Sequence, residues 1–321
     1  MINSLNHFNI DKMKAVKNRL SQSYFMFLLV IMAGLGLSSC QDVIDIDTVD
    51  APQLLVVDAW LNNKSAPQTI KLTLTEPYFS NTLAGGVSNA TVNVTDGNGN
   101  TMAFEEKGDG NYTWTPTGGE TLGEIGTVFT LNVDWDGKNY TASSLMNPVP
   151  PVDSIGQELL TDDIRGADGI YAQFYARDLI GLGNAYWIKT YKNGQFLNKP
   201  QELNIAFDAA FSAGAELDGL IFIPPIREGV NRIADPDTED NDEVAPWSPG
   251  DSILVEIHSI APFVFNFLSI ARDQMTNGDN TIFAIPLANT TGNVSSSVAG
   301  EDVLGIFNVA AVSSLGARIE E

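Results

Sequence analysis

Cysteine, histidine and positive charge are scarce in this sequence, and each scarcity removes a class of function. One cysteine in 321 residues permits no intramolecular disulfide and no cysteine-based zinc site. Two histidines leave little material for acid–base chemistry. Seventeen basic residues stand against 40 acidic ones, a net charge of −23. Such a chain does not bind nucleic acid, because neutralising phosphate needs a surplus of Lys and Arg. Walker-type and dinucleotide loops are missing, and so is the Gly-x-Ser-x-Gly elbow of many hydrolases. The apolar run at 25–37 (FMFLLVIMAGLGL) falls short of the about 20 residues that span a bilayer. What remains is a hydrophobic share of 44% with 18% charged residues, the balance of a folded globular protein.

The apolar run has the length of a secretory h-region, and Lys14, Lys17 and Arg19 supply the basic segment before it. Leu37-Ser38-Ser39-Cys40 follows at once and resembles the bacterial lipobox, whose cysteine thiol receives a diacylglyceryl group while the leader is cut before it. Residues 1–39 are therefore expected to be a lipoprotein signal peptide, with cleavage between Ser39 and Cys40 and a covalent lipid on Cys40. The chain's single cysteine lies where that chemistry needs a thiol. The leader takes away four cations and one acid, so the mature chain is more acidic than its precursor. Residues 40–50 read as an acidic tether. The expected place is the outer membrane, lipid-anchored, with the face left open.

The mature chain reads as all-β, in two β-sandwich-like domains. Residues 51–146 hold short runs such as Leu54–Leu61 and Val128–Trp135, in which apolar and polar residues alternate as in a half-buried strand. The Asp96–Asn100 segment, Gly108-Asp109-Gly110 and Asp136-Gly137 supply the positive φ angles of hairpin turns. Short strands at near-regular spacing indicate an immunoglobulin-like sandwich. Residues 147–152 contain three prolines and read as a stiff linker. Residues 153–321 read as a second β-rich domain, with a strand at Leu304–Val312 and one short α-helix near 261–275, capped by Ser259 and stopped at Asn277-Gly278. The stretch 196–250 shows no clean period.

The order of these pieces resembles the DUF4249 family of Bacteroidota lipoproteins, of unknown function. The resemblance rests on Cys40-Gln41-Asp42-Val43-Ile44-Asp45, Leu54-Val56-Val57-Ala59-Trp60, Pro77-Tyr78-Phe79, Ala90-Val92-Val94-Asp96-Gly99, the segment 148–155 (PVPPVDSI), Gly250-Asp251 with Ile260, and Phe283-Pro286-Asn293-Val294 leading to Leu304-Gly305-Ile306-Phe307. It implies a surface or periplasm-side lipoprotein with an immunoglobulin-like first domain, a companion of TonB-dependent outer-membrane receptors. It carries no catalytic motif to transfer.

Candidate chemistry is sparse. His258, in an alternating strand, reads as a surface or hydrogen-bonded residue and not as a base or ligand. The run from Asp235 to Glu243 packs six acids into nine residues. Asp235, Asp237 and Glu239 are weak calcium candidates, because Asp240 stands where the EF-hand pattern needs glycine and Pro246 where it needs glutamate; a solvated acidic loop is the reading taken, with no metal or cofactor expected. The Asp96–Asn100 segment imitates a calcium loop, but its glycines mark a hairpin. Four of the five tryptophans lie in strand-like patterns and read as core, whereas Trp247, between Pro246 and Pro249, is the candidate exposed ligand contact. Thr48 in Asp47-Thr48-Val49 resembles a Bacteroidota O-glycosylation site. The expectation is a non-enzymatic, outer-membrane-anchored binding or accessory subunit of a TonB-dependent uptake system, with the bilayer and such a receptor as partners. The alternatives are a carbohydrate- or peptide-processing hydrolase using paired carboxylates, and a surface adhesin.

Overall fold

The computed structural model describes residues 52–77, 80, 82–161, 167–215, 217–233, 245–276 and 290–320. Ser39, Cys40, Thr48, Asp235, Asp237, Glu239 and the helix stop at Asn277-Gly278 lie outside them. Residues Ala51–Glu321 form one compact unit, and it is β-rich.

Strand alternation builds its first half. In β1 (Leu55–Asn62) Leu55, Val57, Ala59 and Leu61 are buried while Val56, Asp58 and Trp60 face away from them. The same period of two runs through β2 (Gln68–Leu74), β3 (Thr91–Thr95), β4 (Thr101–Gly108), β5 (Asn111–Trp114), β6 (Val128–Trp135) and β7 (Lys138–Leu145). Two-residue turns join neighbours where Asp136 and Gly137 both take positive φ, as a hairpin twisted like its strands requires. The Asp96 carboxylate accepts from the backbone N–H groups of Asn98 and Asn100 and from the Asn100 side chain, at 2.8–2.9 Å. That segment is a turn held by its own aspartate.

Two later strands join this sheet. β15 (Leu304–Ala310) runs parallel to β1, with Trp60 opposite Asn308, and β14 (Ser295–Ser296) pairs with β7. The result is a nine-stranded sheet in the order β14-β7-β6-β3-β4-β5-β2-β1-β15. It curls until its ends meet. The Val309 N–H donates to Ser144 Oγ at 2.9 Å, and Asn293 spans the seam, donating to the carbonyls of Ser143 and Phe307 and accepting from the Phe307 N–H. Inside lies one core of Val, Leu, Phe and Tyr side chains from both blocks of sequence, Phe307 and Val309 among them.

Residues 147–152 carry neither strand nor helix, and the Pro150 carbonyl accepts from Ser313 Oγ. The second sheet sets β10 (Ala185–Lys192) between β11 (Gln195–Phe196) and β13 (Ser252–Ile260), with β16 (Val312–Arg318) beyond β13 and β12 (Asn204–Phe207) also on β10. The hairpin of β8 (Ser154–Leu160) and β9 (Gly169–Tyr175) and a single-turn helix α1 (Pro224–Glu228) share a core with it. The expected helix is α2, Pro262–Thr276, which buries Val264, Phe265 and Leu268. Its start corrects one expectation. Ser259 is the penultimate residue of β13, its Oγ accepts from the Ala311 N–H, and α2 instead begins on the Ala261 carbonyl, which receives the N–H groups of Val264 and Phe265. The expected strand at Leu304–Val312 likewise divides. Its first part, β15, serves the curled sheet, and after Ala311 the chain enters β16.

Candidate functional site

The outward residues of β1 line a groove. Val56, Asp58 and Trp60 form its floor with Lys71 and Thr73 of β2 and Ile306 of β15, Phe267 of α2 closes one side, and residues 83–86 close another. Its volume is about 760 Å³, within the range of small-molecule sites and mostly apolar like them. Glycine makes the far wall. A Cβ on Gly86 would lie 2.2 Å from the Asp109 carbonyl carbon, so only glycine lets this rim pack on the β4–β5 turn.

Trp60 joins the groove to an aromatic and charged cluster on the second sheet. Its ring meets Trp187 edge-on at 5.0 Å, Trp187 meets Phe196 at 6.4 Å, and Phe196 meets Tyr191 at 5.3 Å. Period two along β10 places Trp187, Lys189 and Tyr191 on one face, and the register sets His258 opposite Trp187 and Glu256 opposite Lys189. Glu256, 4% exposed, is ion-paired to Lys64, accepts from His258 Nε2 at 3.0 Å and lies 3.5 Å from the Tyr191 hydroxyl.

The electrostatics follow from this burial. Burial alone would raise the Glu256 carboxyl, but the bonds from His258 and Lys64 hold it down at about 2. Burial pushes His258 down to about 4 against the upward pull of Glu256, so at neutral pH the uncharged ring donates to an ionised carboxylate. Burial likewise pulls Lys189 down to about 8 and pushes Tyr191 up to about 12, the latter with help from Glu256. No serine, threonine or cysteine is bonded to His258 among the described residues. The adjacent hydroxyl, that of Ser259, is committed to the Ala311 N–H.

Carboxylates do converge, though elsewhere and not where the acidic run suggested. Asp178, Asp208 and Asp218 bring carboxylate oxygens within 4.8 Å of one another. Three oxygens at that spacing could ligate a hard cation, yet the backbone already uses them. Asp208 accepts from the Gly183 and Asn184 N–H groups, Asp218 from that of Gly181, and Asp178 from that of Gly219 and from the buried Tyr186 hydroxyl. Burial first, then the charges of Asp208 and Asp218, raise the Asp178 carboxyl. The cluster clamps the loop 178–184, which displays Ile180 (93% exposed) and Leu182 (80%). Neither carboxylate oxygens nor loop belong to the groove lining.

One tryptophan departs from its expected role. Trp247, expected to be an exposed contact, is 1% exposed. Its indole enters the second core and its Nε1–H donates to Asn231 at 3.0 Å, while its backbone bridges Ile170 of β9. Trp60, Trp114, Trp135 and Trp187, expected in the core, are half-buried and pack against it, Trp114 and Trp135 on the core of the curled sheet and Trp60 and Trp187 on the cluster of Val264, Phe265 and Leu268. Trp60 and Trp187 were missed as site residues because alternation alone does not say which strand face a second sheet leaves open. Of the two positions expected for His258, surface or hydrogen-bonded, the structure shows the second: the ring is buried and bonded to Glu256.

A family model described as a domain of unknown function, DUF4249, matches residues 41–315. Comparison with curated proteins gives no match.

Proposed function

The chain belongs to the DUF4249 family, and on that premise we propose that it is an outer-membrane-anchored lipoprotein acting as a non-enzymatic binding or accessory subunit of a TonB-dependent uptake system. The groove beside Trp60 carries this reading. It has the volume and apolar lining of a ligand site, and the acid and the imidazole near it, Glu256 and His258, are tied to each other and not to a nucleophile. Glu256 is held by Lys64 and His258, and His258 donates to Glu256. That arrangement supports binding over hydrolysis, since a hydrolytic base must reach the group it deprotonates.

Anchorage rests on Cys40. Each buried methylene of an acyl chain contributes about 0.8 kcal/mol, and more than one chain makes attachment durable. Among the described residues no helix is long and apolar enough to cross a membrane. Cys40→Ala is expected to move the protein from the outer-membrane fraction to the soluble fraction, or to leave an uncleaved precursor, as read by fractionation and immunoblot. Unchanged outer-membrane attachment of a processed Cys40→Ala chain contradicts the anchor.

A further inference from the structure

After Leu83, Ile180 and Leu182 are the most exposed large apolar side chains among the described residues, yet their loop is not loose. The Asp178 N–H donates to the Leu220 carbonyl, the Gly181 N–H to Asp218, and the Gly183 and Asn184 N–H groups to Asp208. The Asn184 side chain in turn donates to the carbonyls of Leu179 and Gly181. Asp178 and Asp208 are buried, against the preference of a carboxylate for water. Leaving Ile180 and Leu182 exposed forgoes the burial that drives folding. Both effects work against stability, so the projection of these side chains is not a by-product of folding. The neighbouring loop, 217–221, adds Leu220 and Ile221, both exposed. Ile221 bridges Arg177, and a Cβ on Gly219 would lie 3.3 Å from Ile180 Cγ1. Four aliphatic side chains on two mutually bonded loops make a fixed apolar patch of the kind that marks an interaction surface.

The surroundings of the patch select its partner. Segments 178–184 and 217–221 contain no Lys, Arg, Trp or Tyr, the residues with which a peripheral segment holds a bilayer surface. The adjacent Arg177 guanidinium donates to the Gly219 carbonyl. A second copy docked symmetrically sets the same three aspartates, Asp178, Asp208 and Asp218, against each other. A preformed apolar knob with carboxylates at its base instead fits a protein pocket that is apolar within and rimmed by Lys and Arg. We propose that Ile180 and Leu182 insert into such a pocket on the receptor partner, and that the clamp of Asp178, Asp208 and Asp218 holds them ready for it. A loop already fixed in its docked shape loses little entropy on association. This inference rests on the accessory-subunit reading above and adds the surface that does the docking.

The test compares the natively anchored, tagged protein with its Ile180→Ser/Leu182→Ser variant, both purified from outer membranes, with the TonB-dependent receptor quantified per tagged chain by mass spectrometry. The variant is expected to recover at least about tenfold less receptor at an unchanged melting temperature, since both side chains are exposed. Asp218→Ala, which keeps both side chains and frees the Gly181 N–H, is expected to fall between the two; full recovery by it overturns the role of the clamp. Equal recovery by the unaltered protein and the double variant overturns the surface and leaves the accessory reading standing. A receptor absent from both overturns both. The mature chain without its lipid is expected to sediment as a monomer and not to float with vesicles of phosphatidylethanolamine and phosphatidylglycerol in equal parts. A dimer, or vesicle binding, that the double variant loses overturns the receptor as the occupant of the patch. Should the double variant fail to fold, Ile180→Ser alone carries the comparison with the same two readings.

Discussion

At the scale of the residue, this protein sets its few chemically versatile side chains in fixed pairs. His258 shows what that fixing does. Its ordinary value is 6.5 and the fold holds it at about 4, so the native state prefers the neutral ring. A lowered value gives stability that is complete above 6.5 and is lost as pH falls toward and through 4. Glu256, lowered from 4.5 to about 2, has the same sign in the lower window between those values. Urea denaturation is therefore expected to show a loss on the order of 2–3 kcal/mol attributable to His258 between pH 6.5 and 4. In His258→Gln, which keeps a neutral donor, the decline over that window should be shallower by this amount. An unchanged pH profile in that variant contradicts the assignment. The strand pattern placed this residue but left open whether it is exposed or hydrogen-bonded, and did not name its partner. Glu256 is two positions away on the same strand face, whereas Lys64, which pairs with Glu256, is 192 positions from it and carries no local signal.

At the scale of the element, hairpins were legible and long-range pairing was not. Asn193-Gly194 and Asp136-Gly137 state their positive φ angles in their residue types. β4 hid behind Glu105, Glu106 and Lys107, whose charges mask the alternation of Met102 and Phe104. The parallel joining of β15 to β1 has no local code at all, since its partners are separated by nearly the whole chain. Its constraint shows only in a glycine. Gly305 takes φ +112°, and a Cβ there would lie 1.9 Å from the Val57 carbonyl oxygen. Gly305→Ala is expected to cost at least about 2 kcal/mol, through both strain and displacement of β1. Gly99, at φ +88° with open space around its Cβ, should cost only about 1 kcal/mol as Gly99→Ala. Thermal melts of the two variants separate these costs, and equal losses would remove the close approach as the cause.

At the scale of the whole molecule, scarcity and acidity converge on one reading. The chain has one cysteine and spends it at the expected lipid site, and its described histidine is locked to Glu256. The β character was legible because alternation and turn residues are local. The groove was not, because Trp60 and Trp187 become neighbours only when β1 and β10 are packed, and Trp247 is drawn inward by contacts with Asn231 and Ile170. The central claim, a lipid-anchored binding subunit of an uptake receptor, is tested most directly by purifying the natively anchored protein from outer membranes through a C-terminal tag and identifying what accompanies it by mass spectrometry. The account predicts a TonB-dependent receptor in near-stoichiometric amount. Recovery of the anchored protein with neither a receptor nor a bound small molecule, above the level carried by an unrelated tagged lipoprotein, would contradict it.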